Sequence, residues 1–316
     1  MANIHIGAIG SGTGYGIITS LQEQLDSNVK IFGADIFDKH LVASSAVVDE
    51  FIKLPLATDD NFTEQLLEAL NKNNIDVYAP VVDAEIAVAA KLNEQGLLPC
   101  KTTASSVQTL DICNDKLKTF EVLSKHNIPT PLTWDLQQYK WQGDAVLLKP
   151  KSGFGSKGVF VADNESMLNK AQTELQNYVV QQLCTQPEIT SEGFISYNND
   201  FAISTQRERL EVKSGVCVKA RVFYDKEIEG ITIKLGKALN IKGSYCIQLM
   251  RGQNNNWLVT DVNPRPGAGS RLSAAVGLNY PAAGVMDLLG HDPSKLFVKP
   301  SKDRYVARQY REFVLN

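Results

Sequence analysis

A run of glycines and lysines lies between two apolar segments at residues 146–161, V-L-L-K-P-K-S-G-F-G-S-K-G-V-F-V. The flanking segments are apolar and rich in valine and leucine, so the pattern predicts a strand, a turn and a second strand. Glycine lets backbone N–H groups approach an anion closely, and the lysines add positive charge. We expect this loop to cover a polyphosphate, although a plain glycine hairpin with a solvated basic face has the same composition. It is not a Walker loop, because no G-K-[ST] closes it.

A second run with chemical potential is V-T-D-V-N-P-R-P-G-A-G-S-R-L-S, residues 259–273. On a strand, Asp261 and Asn263 would share a face because they are two residues apart. With Gln248 on the preceding predicted strand they offer one carboxylate and two amide oxygens, which suit Mg²⁺. Arg265 follows between two prolines, and a fixed guanidinium beside a metal suits a transferring phosphoryl group or an acyl phosphate. These residues predict metal-assisted phosphoryl transfer.

The whole chain limits the classes of protein to consider. Its 316 residues are enough for two domains or one large one. A formal net charge of −3 and a pI near 5.9 give no reason to expect nucleic-acid or membrane partners. No apolar run reaches the roughly 20 residues that span a bilayer, and no secretory signal pattern is visible. Five scattered cysteines without a C-x-x-C pair predict reduced thiols and a cytoplasmic location.

The N-terminal segment predicts a buried strand over residues 3–9, a glycine-rich loop and a helix over residues 17–25. The dinucleotide fingerprint G-x-G-x-x-G is not met, because the sixth position is never glycine. Asp35 nevertheless ends the next predicted strand, where a ribose-binding acid would stand. A nicotinamide-binding domain therefore remains an alternative at this point.

Two acids follow a further predicted strand, which covers residues 76–82. Asp83 and Glu85 stand at the start of the helix that comes next. The carboxyl end of a parallel strand is where an α/β sheet receives ligands, so we hypothesise that one of these acids contacts the amino group of an acceptor. The alternative is that both acids only interact favourably with the helix dipole.

The glycine–lysine loop and the D-V-N-P-R-P-G-A-G-S run together resemble the ATP-grasp superfamily, in the branch of the carbamoyl-phosphate synthase large subunit and related carboxylate–amine ligases. The family pattern E-x-N-P-R-x-G-G-S has Glu where this chain has the shorter Asp261. The resemblance implies an α/β and α+β fold, with a Rossmann-like domain over residues 1–105 that binds no dinucleotide. An ATP-grasp domain over residues 106–316 would follow, divided into a central subdomain at about 116–183 and a C-terminal subdomain at 184–316.

The same resemblance assigns roles to residues at matching positions. Those that would contact the nucleotide are Lys116, Lys149, Gly153, Gly155, Ser156, Lys157, Gln181, Gln182, Leu183 and Glu188. Those that would bind the metal are Gln248, Asp261 and Asn263, and the catalytic residues would be Arg265 and Lys149. Those that would contact the substrates are Arg207, Arg209 and Arg271, besides Asp83 and Glu85. Lys149 also attracts attention by itself, because a lysine within an apolar strand rarely lacks a partner.

The function implied is an ATP-dependent carboxylate–amine (or thiol) ligase that forms an acyl phosphate and releases ADP and phosphate. Its cofactors would be ATP and Mg²⁺, with Mn²⁺ as a substitute, and its substrates a small carboxylate and a small amine. A homodimer is a further implication of the resemblance. Two alternatives stay open: a carboxylate or carbamate kinase of the carbamoyl-phosphate synthase type, and a nucleotide-binding protein without catalysis. The residues do not identify the substrates.

Overall fold

The fold is taken from a computed structural model, which describes residues 2–24, 29–153, 157–213, 215–309 and 311–315. Within these residues the chain forms three β-sheets with helices packed against them. No helix in the described part of the chain is long and apolar enough to cross a membrane.

The first sheet is parallel and has the strand order β3-β2-β1-β4-β5. Its strands are β1 Ala2–Ile6, β2 Val29–Asp35, β3 Glu50–Lys53, β4 Val77–Ala79 and β5 Lys101–Thr102. The accompanying helices are α1 Gly12–Gln22, α2 Phe62–Lys72, α3 Asp83–Glu94 and α4 Val107–Cys113, and short 3₁₀ turns lie at Lys39–Leu41 and Ala43–Val47. This parallel α/β arrangement confirms the Rossmann-like part of the predicted fold.

Helix α1 begins earlier than the predicted 17–25, at Gly12. Ser11 caps it, because its hydroxyl accepts a hydrogen bond from the Gly14 N–H at 3.0 Å. Gly14 is also packed so tightly that a Cβ would lie 2.7 Å from the Ala8 carbonyl oxygen. The glycine-rich segment is therefore the closely packed first turn of the helix.

The second sheet is antiparallel, with the order β6-β9-β7-β8. Its strands are β6 Thr133–Asp135, β7 Val146–Pro150, β8 Phe160–Ala162 and β9 Tyr178–Gln182. Its helices are α5 Lys116–Lys125 and α6 Glu165–Glu174. Strands β7 and β8 flank the glycine–lysine loop as the sequence predicts, and Gly155 and Ser156 lie outside the described residues.

The third sheet is antiparallel, with the order β14-β13-β10-β11-β12-β15. Its strands are β10 Thr185–Ile195, β11 Ala202–Lys213, β12 Val216–Phe223, β13 Gly243–Arg251, β14 Trp257–Asn263 and β15 Arg304–Ala307. Its helices are α7 Lys226–Ala238, α8 Ser270–Ala274 and α9 Tyr280–Leu288, followed by a 3₁₀ turn at Pro293–Leu296. Strand β15 pairs with β12 and forms one edge of this sheet.

One apolar core joins the first sheet to the third. Ile6 and Ile18 from the N-terminal segment belong to the same buried cluster as Phe194 of β10 and Val285 of α9. Burying such side chains contributes about 1.5–3 kcal/mol each, so this shared core holds the two sheets together. A separate cluster that includes Leu148 fills the second sheet. The predicted domain boundaries at residues 105, 183 and 184 remain predictions.

Candidate active site

One face of the six-stranded sheet forms the floor of a cleft, and the strand register places its polar side chains in rows. Thr190 on β10 pairs with Arg207 on one side and with Gln248 on the other, and Gln248 pairs with Asp261. The next row joins Cys246 to Glu192 and Asn263. Because residues two apart on a strand share a face, both rows point to the same side of the sheet.

The four-stranded sheet lies over this floor and encloses a cleft of about 610 Å³. Most of the site residues predicted from the sequence line it: Lys116, Lys149, Gly153, Lys157, Gln181, Gln182, Leu183, Glu188, Arg207, Arg209, Gln248, Asp261, Asn263 and Arg265. We call the part around Lys116, Lys149 and Lys157 the phosphate end. We call the part around Arg207, Arg265 and Gly269 the substrate end.

Lys149 is the buried cation of the phosphate end. It points from β7 into the cleft, is 7% exposed, and donates from Nζ to the Thr260 carbonyl at 3.1 Å. Burial lowers the pKa of Lys149 to about 8, although the charge of Asp261 acts in the opposite direction. An anion at this point would restore the charged form, so Lys149 is suited to a phosphate.

Lys116 holds the first part of the glycine–lysine loop. It is the first residue of α5, which Asp115 caps by accepting from the Leu117 and Lys118 N–H groups. Its backbone N–H donates to the Lys151 carbonyl at 3.0 Å, and its Nζ donates to the Gly153 carbonyl at 3.3 Å. The loop and the helix start are thus joined at the phosphate end, beside Lys157.

The hinge candidates come from β9 of the four-stranded sheet, and the ribose candidate Glu188 comes from β10 of the six-stranded sheet. Gln181 is buried and donates from its side chain to the Thr133 hydroxyl at 2.9 Å, so it has a structural partner. The Gln182 N–H donates to the Leu132 carbonyl at 2.9 Å. Glu188 forms an ion pair with Arg209. Both members of this ion pair line the cleft.

Asp261, Asn263 and Gln248 form the metal candidate. The Asn263 side-chain amide donates to Asp261 Oδ2 at 3.1 Å, and Gln248 is the register partner of Asp261 on β13. One carboxylate and two amide oxygens suit a hard divalent cation whose remaining ligands are phosphate oxygens and water. The described residues contain no group of three His, Cys, Asp or Glu side chains that could bind a metal without such help. The donor set therefore fits Mg²⁺ held jointly with a polyphosphate.

Arg265 is a partly exposed cation of the substrate end. Its Nε donates to Asp83 Oδ1 at 2.6 Å, which links the cleft to the first turn of α3. Burial disfavours the charged guanidinium, yet the hydrogen bond and charge of Asp83 outweigh it and raise the pKa of Arg265. Asp83 itself is not among the residues that line the cleft. It lies behind Arg265.

Comparison with known proteins decides the family. Residues 113–269 match the family described as the ATP-grasp domain. The chain belongs to the ATP-grasp superfamily. Every residue that lines the cleft, from Lys116 to Gly269, lies inside the matched segment. The ATP-grasp domain thus accounts for the whole cleft, as the sequence motifs imply.

Relatives and solved structures agree with this assignment. The chain is 23% identical over 293 residues to the D-alanine–D-alanine ligase of Francisella philomiragia, which covers 81% of this chain and 95% of the relative. N5-carboxyaminoimidazole synthetase from Staphylococcus aureus with ADP superposes with a TM-score of 0.74 at 17% identity, over 92% of this chain and 78% of that one. L-amino acid ligase from Bacillus licheniformis gives 0.72 at 18% identity, over 94% and 76%. These structures share the fold.

Besides Asp83, two further predicted substrate residues, Glu85 and Arg271, are not among the residues that line the ATP-grasp cleft. Glu85 is 4% exposed and accepts hydrogen bonds from the Tyr78 hydroxyl at 2.7 Å and the Val81 N–H at 3.1 Å. It therefore lies inside the first domain, and burial raises its pKa. Arg271 lies on α8 and forms an ion pair with Glu23. Neither residue is placed where the sequence-based hypothesis puts it.

The nicotinamide-binding alternative has no support in the structure. Asp35 is 8% exposed, and its carboxylate accepts the Gly10 N–H at 2.8 Å and the Phe37 N–H at 3.3 Å. A ribose-binding acid must present its oxygens to the ligand. Here the backbone of the first domain already occupies them, so Asp35 stabilises the loops.

Sequence reasoning did not single out Thr190 and Cys246, which also line the cleft. Strand periodicity could have indicated that Thr190 faces the cleft, because Glu188, Thr190 and Glu192 alternate along β10 and must share a face. The register then brings Thr190 beside Gln248 and Glu192 beside Cys246. Glu192 is buried beneath the substrate end.

Proposed function

We propose that this protein is an ATP-dependent ligase that joins a small carboxylate to a small amine through an acyl phosphate, releasing ADP and phosphate. The observation that supports it most is that one cleft contains both a phosphate end and a substrate end. Lys149 and Asp261 lie at the first, and Arg207 and Arg265 lie at the second. Such a cleft can hold a triphosphate and a second anion next to each other.

The nucleotide residues have distinct roles in this proposal. Lys149, Lys116 and Lys157 neutralise the phosphates. Glu188 binds the ribose in place of its ion-pair partner Arg209. Gln248, Asp261 and Asn263 would hold Mg²⁺, or Mn²⁺ in its place, and this cation would neutralise charge on the β- and γ-phosphates. Positioning and electrostatic stabilisation would do most of the catalytic work, as in other phosphoryl transfers.

Two displacement steps complete the reaction. The substrate carboxylate, held by Arg207 and Arg265, attacks the γ-phosphorus; the bond to the β–γ bridging oxygen breaks, and ADP leaves. The amine nitrogen then attacks the acyl carbon, the bond from that carbon to the phosphate oxygen breaks, and the nitrogen gives up its proton. Arg265 stabilises the charge that develops on the phosphoryl group.

The relatives support small, amino-acid-like substrates. Those matched by sequence are named as D-alanine–D-alanine ligases, and one structural neighbour is an L-amino acid ligase. The substrate end fits such molecules, because Arg207 and Arg265 line it and can meet a carboxylate. A cytoplasmic location and a homodimer remain further predictions of this proposal.

A carboxylate or carbamate kinase is the second candidate. The fold neighbours include biotin carboxylase from Campylobacter jejuni, with a TM-score of 0.77 at 15% identity over 96% of this chain and 74% of that one. A carboxylate or carbamate kinase would use the same nucleotide-binding residues as the ligase and would differ only in its product. Detection of an amide would favour the ligase, and an acyl phosphate without an amide would favour the kinase.

Phosphate release from Mg-ATP tests the proposal. Purified protein would be challenged with pools of amino acids and other small carboxylates, with the nucleotide product identified by chromatography and amides by mass spectrometry. Release that depends on one pool, with ADP as product, would support the ligase and begin to identify its substrate. AMP and pyrophosphate would overturn it in favour of adenylation. Tight Mg-ATP binding without turnover in any pool would favour a nucleotide-binding protein.

A further inference from the structure

Beneath the substrate end lies a buried ionic network in which the steps above give a role to Arg207 alone. Glu192 on β10 and Arg207 on β11 are 1% and 3% exposed, and Arg207 Nη2 lies 3.6 Å from Glu192 Oε1. The hydroxyl of Ser273, on α8, donates to the other carboxylate oxygen, Oε2. Three side chains from three elements therefore meet where the sheet, α8 and the cleft come together.

Stability alone is a weak reason for such a network. Removing two charges from water is expensive, and buried ion pairs can often be replaced by apolar side chains without loss. Here the pairing is also incomplete, because Glu192 Oε1 and Arg207 Nε have no hydrogen-bond partner among the described residues. An apolar pair would pack at this point at lower cost, so the charges are better explained by the cleft that Arg207 lines.

The network also determines where the chain can turn above it. A Cβ at Gly269 would lie 2.5 Å from Arg207 Nη2 and 2.6 Å from its Cζ, so the glycine lies directly against the guanidinium. Residues 264–269, which we call the glycine turn, include Arg265 and lead into α8, where Ser273 contacts Glu192. The sheet thus holds the glycine turn at Gly269 and again through Ser273.

We propose that Glu192, tethered by Ser273, is a positioning residue for Arg207 and for the glycine turn that carries Arg265. It acts through these residues without touching substrate, and it keeps both guanidinium groups in place for an anionic carboxyl group. The inference rests on the proposed function, since it assigns the substrate end to a carboxylate or acyl phosphate. Nucleotide binding at the phosphate end does not depend on the network.

The first test compares Glu192→Gln with a matched control, Glu211→Gln. Glutamine keeps the size of Glu192 and can accept from Ser273, but it removes the charge that faces Arg207. Glu211 lies on β11 outside the cleft and pairs with Lys213 and Lys219. The probe reaction is ATP formation from acetyl phosphate and Mg-ADP, in which the bond from phosphorus to the acetyl oxygen breaks and a bond to the ADP β-phosphate forms.

We expect Glu192→Gln to lower kcat/KM for acetyl phosphate by about 10- to 100-fold, the range typical of a misplaced substrate-binding group, while the Kd of Mg-ADP stays within about twofold. Ser273→Ala should lower it less in the same direction, and Glu211→Gln should leave it unchanged. If Glu192→Gln lowers the melting temperature while kcat/KM stays at the wild-type value, the network is only structural and the inference is wrong.

A second measurement is independent of activity. Glu192→Gln, Arg207→Gln and the double variant form a cycle in thermal unfolding, and we expect the double variant to lose less than the sum of the single losses because the two groups interact. Additive losses would overturn the inference. If the wild-type protein neither makes ATP from acetyl phosphate nor releases phosphate with any carboxylate, the proposed function is overturned. If the wild-type protein is active and Glu192→Gln leaves kcat/KM unchanged, only the positioning role is overturned.

Discussion

The two ends of the cleft hold their cations in opposite ways. At the phosphate end, Lys149 donates to a backbone carbonyl, and burial lowers its pKa to about 8. At the substrate end, Arg265 and Arg207 each face a carboxylate, Asp83 and Glu192. The charge of Asp261 therefore offsets only part of the desolvation cost of Lys149, whereas Arg265 and Arg207 each pair directly with a carboxylate.

This difference indicates a division of work. A buried ammonium that forms no ion pair gains most from an incoming polyphosphate, so the phosphate end should depend strongly on the nucleotide. A guanidinium with a fixed carboxylate behind it is oriented before any ligand arrives, and little reorganisation is needed when charge develops. The phosphate end is completed by its ligand, whereas the substrate end is preorganised.

The largest effect is expected from Asp261→Asn at the phosphate end. Asp261 is the one carboxylate in the metal candidate and also the nearest acid that favours charge on Lys149. Losing it should lower phosphate release at saturating Mg-ATP by about 1,000-fold, or about 4 kcal/mol. Asp261→Glu keeps the charge and should retain activity. Unchanged turnover in Asp261→Asn would refute the metal assignment.

Arg265→Ala should separate the two ends. Phosphate release should fall by about 100- to 1,000-fold, because a preorganised cation is lost where transferring charge develops. Calorimetric binding of Mg-ATP should remain within a few-fold, because the phosphate-end lysines are untouched. Arg221→Ala is the control, since Arg221 pairs with Glu208 and Asp303 away from the cleft. An equal loss of nucleotide affinity in Arg265→Ala would mean that the ends are not independent.

Much of this site could be predicted from local patterns in the sequence. The alternation in T-D-V-N placed Asp261 and Asn263 on one face, and an isolated lysine in V-L-L-K-P marked Lys149 as exceptional. In each case the information lies within a few residues, because periodicity and burial are local properties of a strand or helix.

What could not be predicted depends on contacts between distant residues. Asp83 and Arg265 are 182 positions apart, and Glu192 and Ser273 are 81 apart. No local pattern distinguishes an acid that faces a ligand from one that accepts a hydrogen bond from a nearby backbone N–H. Glu85 is of the second kind, so its predicted position was wrong. Arg271 was misplaced for the same reason, since its partner Glu23 belongs to another domain.

A stability measurement tests the cost assigned to Lys149. Its native pKa of about 8 lies below the ordinary 10.5, so the native state binds fewer protons between these pH values. The free energy of unfolding contributed by this group therefore rises from pH 8 to 10.5, and near pH 7 the charge costs up to about 3 kcal/mol. The lost hydrogen bond to Thr260 offsets about 1 kcal/mol. Lys149→Met should thus stabilise the nucleotide-free protein at pH 7 by about 2 kcal/mol.

Denaturant unfolding at pH 7 and at pH 10 would measure this difference. The stabilisation by Lys149→Met should shrink at the higher pH, where the native lysine is already neutral, and Mg-ATP should no longer stabilise the variant. Lys91→Met, at an exposed position on α3, should change neither value by more than about 0.5 kcal/mol. A destabilised Lys149→Met at pH 7 would mean that the phosphate end is preorganised too, and the contrast between the ends would disappear.

The smallest effect, about tenfold, is expected from Asp83→Asn, and it decides how Asp83 acts. Asparagine can still accept from Arg265 Nε but no longer supplies the charge that raises its pKa. If Asp83 acts by orienting Arg265, kcat should fall about tenfold while KM for the amine stays constant. If Asp83 binds the amine, as hypothesised from the strand end, KM should rise with kcat nearly unchanged. Steady-state kinetics with the amine concentration varied separate these two roles of Asp83. Arg265→Lys perturbs the same contact from the other side, and only if Asp83 orients Arg265 should the double variant lose less than the sum of the single effects.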